Sequence, residues 1–342
     1  MSKNILIIGN HLSNEKSNIS VSEELIFKFK SLGWFVISVS NKKNKIFRLF
    51  DMISTIINKR KLYDLALLDV FSGNAFIWAY LSGLVLKLFN KTFILILHGG
   101  NLPVFSKRHT KLVSQLHEWA KTVISPSLYL KNSLEGIRKD IQVIPNPIQI
   151  NNYKYNVKEK FFPKIIWVRA FHEIYNPIMV PEVILLLIND FPDINLTMVG
   201  PDKGDGSLKK VQTQAEKLNV SKYLKIIPGL PKKLIPEILS QNDIFINTTN
   251  VDNTPISVIE ALASGLCIVS TNVGGIPYLL QNEIDSILVP PNNPELMAKA
   301  ITRILNDFEF AKNISLNSRM KAETYDWSKV MPVWEKTINE II

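Results

Sequence analysis

The chain holds one cysteine in 342 residues. No disulfide can form within it, which excludes a disulfide-stapled scaffold and points to the reducing cytosol. Cys267 itself lies in an apolar run and reads as a core residue rather than a reactive thiol. Long hydrophobic runs are also missing. The longest, residues 75–86, falls short of the roughly 20 residues that cross a bilayer. The N-terminus goes directly into an apolar strand pattern without a cleavage signal, so no leader is expected. After that strand the Gly-x-Gly-x-x-Gly turn of a dinucleotide fold is absent. Only Gly9 stands there, which argues against a nicotinamide cofactor. No Asp-x-Asp pair offers itself to a divalent metal, and Asp51 and Asp69 stand alone. There is no internal repeat and no low-complexity tract.

Acidic residues are scarce in one half only. Residues 1–150 hold 20 Lys+Arg against 9 Asp+Glu, about +11; the remainder holds 20 against 21, about −1. A basic half can face nucleic acid, an anionic membrane or an anionic substrate. No nucleic-acid motif accompanies it, so nucleic acid is set aside and the anionic membrane surface is favoured. Residues 45–61 carry Ile46, Phe47, Leu49, Phe50, Met52, Ile53, Ile56 and Ile57 in a helical stripe. Lys42, Lys43, Lys45, Arg48, Lys59, Arg60 and Lys61 surround them. Two readings stay open: an ordinary helix covering a sheet, or a membrane-facing helix with a cationic edge.

What is present is a strand–helix alternation on a scale of two domains, with 46% hydrophobic residues to fill their cores. Strands are expected at residues 4–10, 34–40, 64–70, 92–97, 122–125 and 141–144, then at 164–168, 195–200, 224–228, 243–247 and 266–270. A helix opens on the capping box Ser20/Glu23; others are expected at 74–89, 128–136, 181–187, 208–218, 293–305 and 308–324, with a last one from Tyr325 to the end. Residues 148–162, polar and rich in Asn, Lys and Tyr, read as a linker.

The densest chemistry lies in residues 247–280. A buried strand is followed by a polar loop with Asp252. Pro255 then stands at the first helical position with Thr254 as cap. Glu260 falls in the second turn and Gly265 ends the helix. The backbone N–H groups of Ile256 and its successors favour a phosphate, and carboxylates accept sugar hydroxyls. One site with both suits a sugar nucleotide. A carboxylate pair alone would be weak evidence, and a two-carboxylate glycosidase is not what this spacing suggests.

This stretch resembles the acidic-x7-Glu signature of the retaining glycosyltransferases of family 4, which have the GT-B fold. The matching runs are Asp252, Asn253-Thr254-Pro255, Glu260-Ala261-Leu262-Ala263-Ser264-Gly265 and Gly274-Gly275-Ile276-Pro277. The first acid is Asp where the family usually has Glu, and Tyr278 stands where Glu is frequent.

The resemblance implies two doubly wound parallel-sheet α/β domains facing a cleft. Residues 1–150 would form the acceptor-side domain, completed by a helix over 325–342 that crosses back to it. Residues 163–324 would bind the nucleotide sugar. It further implies transfer from a nucleotide sugar, with UDP as the expected base carrier, to a glycan or lipid-linked acceptor in surface polysaccharide synthesis. The implied place is the cytoplasm, at the inner face of the plasma membrane. Asp252 would hold sugar hydroxyls with the backbone of Thr254 and Ile256, and Glu260 the ribose. Arg169 would hold the diphosphate without metal or other cofactor, and Gly229-Leu230 the base. His98, followed by Gly99-Gly100, matches the reaction-centre residue of the first domain. The family's phosphate lysine is missing: Ile174 and Tyr175 occupy its window, and Asn176 or Lys203 would have to substitute. That gap keeps a non-catalytic GT-B partner protein in polysaccharide assembly as a second reading. A GT-B sugar-nucleotide epimerase is a third, with no motif in its favour.

Overall fold

A computed structural model describes residues 3–12 and 20–342. Most of the loop expected over residues 11–19 lies outside them. The chain divides into two units, Met1–Pro147 with Ser328–Ile342, and Ile148–Trp327.

In the first unit the strands are β1 (Asn4–Ile8), β2 (Phe35–Val39), β3 (Leu65–Val70), β4 (Thr92–Leu97), β5 (Thr122–Ser125) and β6 (Gln142–Val143). They form one sheet in the order β2-β1-β3-β4-β5-β6, every neighbouring pair parallel. β3 is buried along its whole length. That fits a parallel sheet covered by helices on both faces, whose strands read as unbroken apolar runs rather than alternating ones. The helix Val21–Ser31 opens on the expected capping box, with Ser20 and Glu23 bonding each other's backbone N–H.

The second unit repeats the plan. Its strands are β7 (Lys164–Val168), β8 (Asn195–Val199), β9 (Leu224–Ile227), β10 (Ile244–Asn247), β11 (Cys267–Thr271) and β12 (Ile287–Val289), in the order β12-β11-β10-β7-β8-β9, again all parallel. Cys267 is buried in β11, and its thiol donates to the carbonyl of Ala311 at 3.3 Å. The C-terminal helix Trp327–Asn339 belongs to the first unit from Ser328 onward. Thr337 receives a hydrogen bond from the Gln142 side chain at 2.7 Å.

Residues 148–162 are part of the second unit rather than a linker: Ile148, Ile150, Tyr153 and Phe161 are buried in its cores. Four helices have no clear signal in the sequence pattern: Leu102–Arg108, Thr110–Trp119, Ile235–Ser240 and Ile276–Leu279. Thr110–Trp119 shows why. It buries only Val113, Leu116 and His117, so its apolar stripe is too narrow to register. Burial pushes the His117 imidazole down to about 4, which makes it a neutral core residue near pH 7.

In each sheet the strand order reverses once, between β1 and β3 and between β7 and β10. Loops leaving the C-terminal ends of such strand pairs diverge and leave a crevice, where open α/β sheets bind ligands.

Candidate active site

In the second unit the crevice between β7 and β10 collects the motif. Arg169 follows β7, and its N–H donates to the Val199 carbonyl at 3.0 Å, extending the ladder by one rung. Its own carbonyl lies 1.7 Å from where a Cβ on Gly200 would stand, so that position admits no side chain. The loop after β10 is fastened to the turn that follows β7. Thr248 donates its hydroxyl to the Tyr175 carbonyl at 2.7 Å and accepts from the Trp167 indole at 3.0 Å. The Asn250 N–H donates to the Ile174 carbonyl at 2.9 Å.

These restraints bring Arg169 onto Asp252. The two form an ion pair, with side chains 12% and 13% exposed. The guanidinium also lies over the Tyr175 ring, 4.3 Å from its centroid, a cation–π contact. Burial draws the Arg169 pKa down from its usual value while Tyr175 opposes the change. Tyr175 thus fills the missing lysine's window with a ring that seats the remaining cation. Asn176 adopts a left-handed conformation (φ 46°) and commits its amide to Asn292 at 2.9 Å. Lys203 is exposed.

Asp252 holds its own loop by accepting the Asn253 N–H at 2.9 Å. Its carbonyl accepts from the Gly275 N–H at 3.0 Å. The Gly274-Gly275 doublet lies flat against this loop. A Cβ on Gly274 would meet the Asp252 carbonyl oxygen at 2.2 Å, and one on Gly275 the Asn253 oxygen at 2.0 Å. The doublet is demanded by close backbone approach.

The helix start differs by one residue from the sequence reading. The helix runs Ile256–Ala263, and the extended Pro255, not Thr254, is its cap, with no side-chain capping bond. Its ψ of 120° keeps Pro255 with the loop. First-turn N–H groups at such an end are the ones an anion takes. The Ser257 hydroxyl in that turn is buried without a hydrogen-bond partner, a donor the sequence reading missed. Glu260 lies three residues later on the same face. It is 5% exposed, and it accepts a hydrogen bond from the Tyr153 hydroxyl at 2.9 Å. Gly229 (φ 103°) and Leu230 follow β9 at the sheet edge, and Leu230 packs on the apolar cluster that also receives Ile256.

In the first unit His98 follows β4. Its Nε2 is 2.9 Å from Asp69 Oδ1, and its ring stacks on Phe71 at 4.7 Å. Asp69 also accepts the Ser22 hydroxyl at 2.7 Å. Asp51 accepts from Ser40 at 2.6 Å. Gly9 is explained by the same group, since a Cβ there would lie 2.2 Å from Asp69 Oδ2. Burial lowers the His11 pKa beside this cluster, with Asp69 and Glu23 opposing. Among the described residues, no three His, Cys, Asp or Glu side chains are grouped to hold a metal ion, and no helix is long and apolar enough to cross a membrane.

The sequence model of the family described as glycosyl transferases group 1 matches residues 152–321. A similar curated protein is the UDP-Gal:alpha-D-GlcNAc-diphosphoundecaprenol alpha-1,3-galactosyltransferase of Escherichia coli. It is 26% identical over 225 residues, covering 60% of this chain and 54% of that protein. Matches to three such relatives span 32% to 54% of their lengths. Among solved structures, sucrose-phosphate synthase from Thermosynechococcus elongatus superposes with a TM-score of 0.81 at 15% identity, covering 99% of both chains. Anabaena Alr3699/HepE in complex with UDP gives 0.78 at 16% identity, covering 98% of this chain and 100% of that one. At such identities the two structures share the fold.

Proposed function

We propose, from a second unit whose residues 152–321 match the sequence model of the glycosyl transferases group 1 family, that this chain is a retaining GT-B glycosyltransferase of family 4. Its donor is a nucleotide sugar, most simply a UDP-sugar. The observation that carries the reading is the crevice between β7 and β10. There Arg169, Asp252 and the start of the helix bearing Glu260 belong to one hydrogen-bonded group of loops.

Each group has a task. As the glycosidic bond breaks, negative charge grows on the leaving diphosphate. The Arg169 guanidinium and the helix N-terminus offset that charge where it develops. Ser257 can donate to the same oxygens. Glu260 accepts ribose hydroxyls and Asp252 sugar hydroxyls. The bound diphosphate replaces Asp252 as the counter-ion of Arg169, which releases the carboxylate for the sugar. His98, whose Nε2 lies 2.9 Å from Asp69 Oδ1, is assigned a catalytic role on the family resemblance.

No metal is assigned a role, because Arg169 and the helix start carry the phosphate charge. The test is slow hydrolysis of a UDP-sugar without acceptor. Turnover should persist in EDTA; loss in chelator with recovery on manganese or magnesium would overturn metal independence. No hydrolysis, and no transfer to any offered acceptor, would favour the second reading, a non-catalytic partner protein. What supports that reading is Tyr175 in the lysine window together with the Arg169–Asp252 pair.

The acceptor in this proposal is a lipid-linked saccharide of surface polysaccharide synthesis, presented at the inner face of the plasma membrane. The name of the Escherichia coli relative, with its diphosphoundecaprenol acceptor, supports this. So does the helix Lys45–Asn58. It turns Ile46, Phe47 and Phe50 outward, 79%, 67% and 73% exposed, and buries Arg48, Met52 and Ile56. An ordinary covering helix would do the reverse with its phenylalanines. The buried Arg48 bonds the carbonyls of Lys42 and Lys43 at 2.7 and 3.0 Å, fixing the loop that carries those two lysines. Lys42, Lys43, Phe47 and Phe50 line a pocket of about 550 Å³.

Each Lys or Arg near an anionic bilayer contributes about 1 kcal/mol. Replacing Lys42, Lys43, Lys59 and Lys61 by Ser should release the protein from anionic vesicles in co-sedimentation, as should high salt. Equal sedimentation with neutral and anionic vesicles, or none with either, would refute the membrane reading.

A further inference from the structure

The segment entering the second unit is built against the motif helix. Arg319 reaches from the helix Phe308–Glu323 and donates through one Nη to two carbonyls, Tyr153 at 2.9 Å and Ala263 at 2.7 Å. One guanidinium thus ties the Tyr153 backbone to the last residue of Ile256–Ala263. Two residues on, the Tyr155 ring lies on Gly265, where a Cβ would meet it at 2.3 Å. The Gly265 carbonyl accepts from Ser315 at 2.6 Å. Both the entering segment and the C-terminal end of the motif helix are therefore held by the Phe308–Glu323 helix. The Tyr153 hydroxyl then reaches Glu260 Oε1 at 2.9 Å, with Tyr153 7% and Glu260 5% exposed.

We propose that Tyr153 is a positioning residue for the Glu260 carboxylate, acting on recognition of the ribose 2′,3′-diol of a nucleoside diphosphate. This rests on the reading of Glu260 as the ribose acceptor. A Glu side chain has three rotatable bonds, the last of which turns the carboxylate plane. One hydrogen bond to a fixed phenol removes that freedom before the ligand arrives. A carboxylate accepts at two oxygens with about four lone-pair directions, so a hydrogen bond from a phenol at Oε1 is compatible with a vicinal diol on the same group. Pre-orientation matters here because a bidentate diol contact needs the carboxylate plane aligned with both hydroxyls.

The test compares binding of UDP and its 2′,3′-dideoxy analogue to the wild-type chain, Tyr153→Phe, Glu260→Gln and the double variant. Tyr153→Phe keeps the ring and its packing. It should weaken UDP roughly tenfold, the range for a bond to a charged group, while leaving the dideoxy analogue unchanged. Glu260→Gln should abolish the preference for UDP over the analogue, and adding Tyr153→Phe to it should change little more. A merely structural tyrosine would weaken both ligands alike, and that outcome overturns the proposal. If Glu260→Gln removes the diol preference while Tyr153→Phe leaves it intact, the positioning role alone is refuted. If Glu260→Gln keeps the preference, the ribose assignment falls and the proposal with it.

Discussion

Replacing Arg169 by Ala should lower kcat/KM for the nucleotide-sugar donor by about 10²- to 10³-fold, the usual cost of removing one preorganised donor to a developing anion. Asp252→Ala should fall at least as far, since it removes a sugar contact and leaves a cation without its counter-ion. Both variants also lose stability. The pair is nearly buried, and stranding one charge of such a pair costs about 3 kcal/mol. The double replacement Arg169→Met, Asp252→Asn should recover most of the melting temperature lost by either single variant but none of the activity. Melting curves and donor kinetics on the three variants check this. Single variants with near wild-type turnover would show that this pair is not the phosphate site. A double variant no more stable than the singles would show that the two charges do not compensate each other.

The second large effect is expected at Gly275. Its φ is ordinary for any residue (−84°), so Ala there carries no conformational penalty. Only space forbids it. The added Cβ would lie 2.0 Å from the Asn253 carbonyl oxygen, a backbone atom that cannot swing aside as a flexible side chain would. The acid loop must shift by about an ångström or more, and such misplacement of a binding group costs about 10²-fold in rate. Overpacking of this kind costs about 1–3 kcal/mol in stability. The control is Gly136→Ala, whose Cβ would meet open space and should leave both quantities unchanged. If Gly275→Ala turns over donor like the wild type, the doublet does not hold the acid loop in its active shape.

The parallel architecture could be read from the sequence because strands buried on both faces leave unbroken apolar runs, as in β3 and β10. Local chemistry did the same for the Ser20/Glu23 helix start. Long-range burial hid the rest. Residues 148–162 look polar, yet Ile148, Ile150 and Tyr153 fill a core. The helix Thr110–Trp119 completes its narrow stripe with a histidine.

The site divides in the same way. Asp252, Glu260 and the Gly274-Gly275 doublet fall in one short stretch, so their association was legible as a motif. In the sequence Tyr175 shows only as an absent lysine; that its ring supports Arg169 depends on where the turn after β7 lies. Tyr153 stands 107 residues from Glu260 in a stretch with no motif. Asp69 gave no signal because its partners, Ser22 and His98, come from separate elements. Gly9, Gly200 and Gly275 each mark a place where another group comes too close for a side chain.

The solitary thiol of β11 has a practical side. Burial drives the Cys267 pKa far above its usual value, so the folded chain presents no thiolate to an alkylating reagent. With no other cysteine to remove, the chain is already suited to single-site chemistry. A cysteine introduced on either unit becomes the only handle for a fluorophore or spin label, and paired labels can measure the distance between the two units with and without donor.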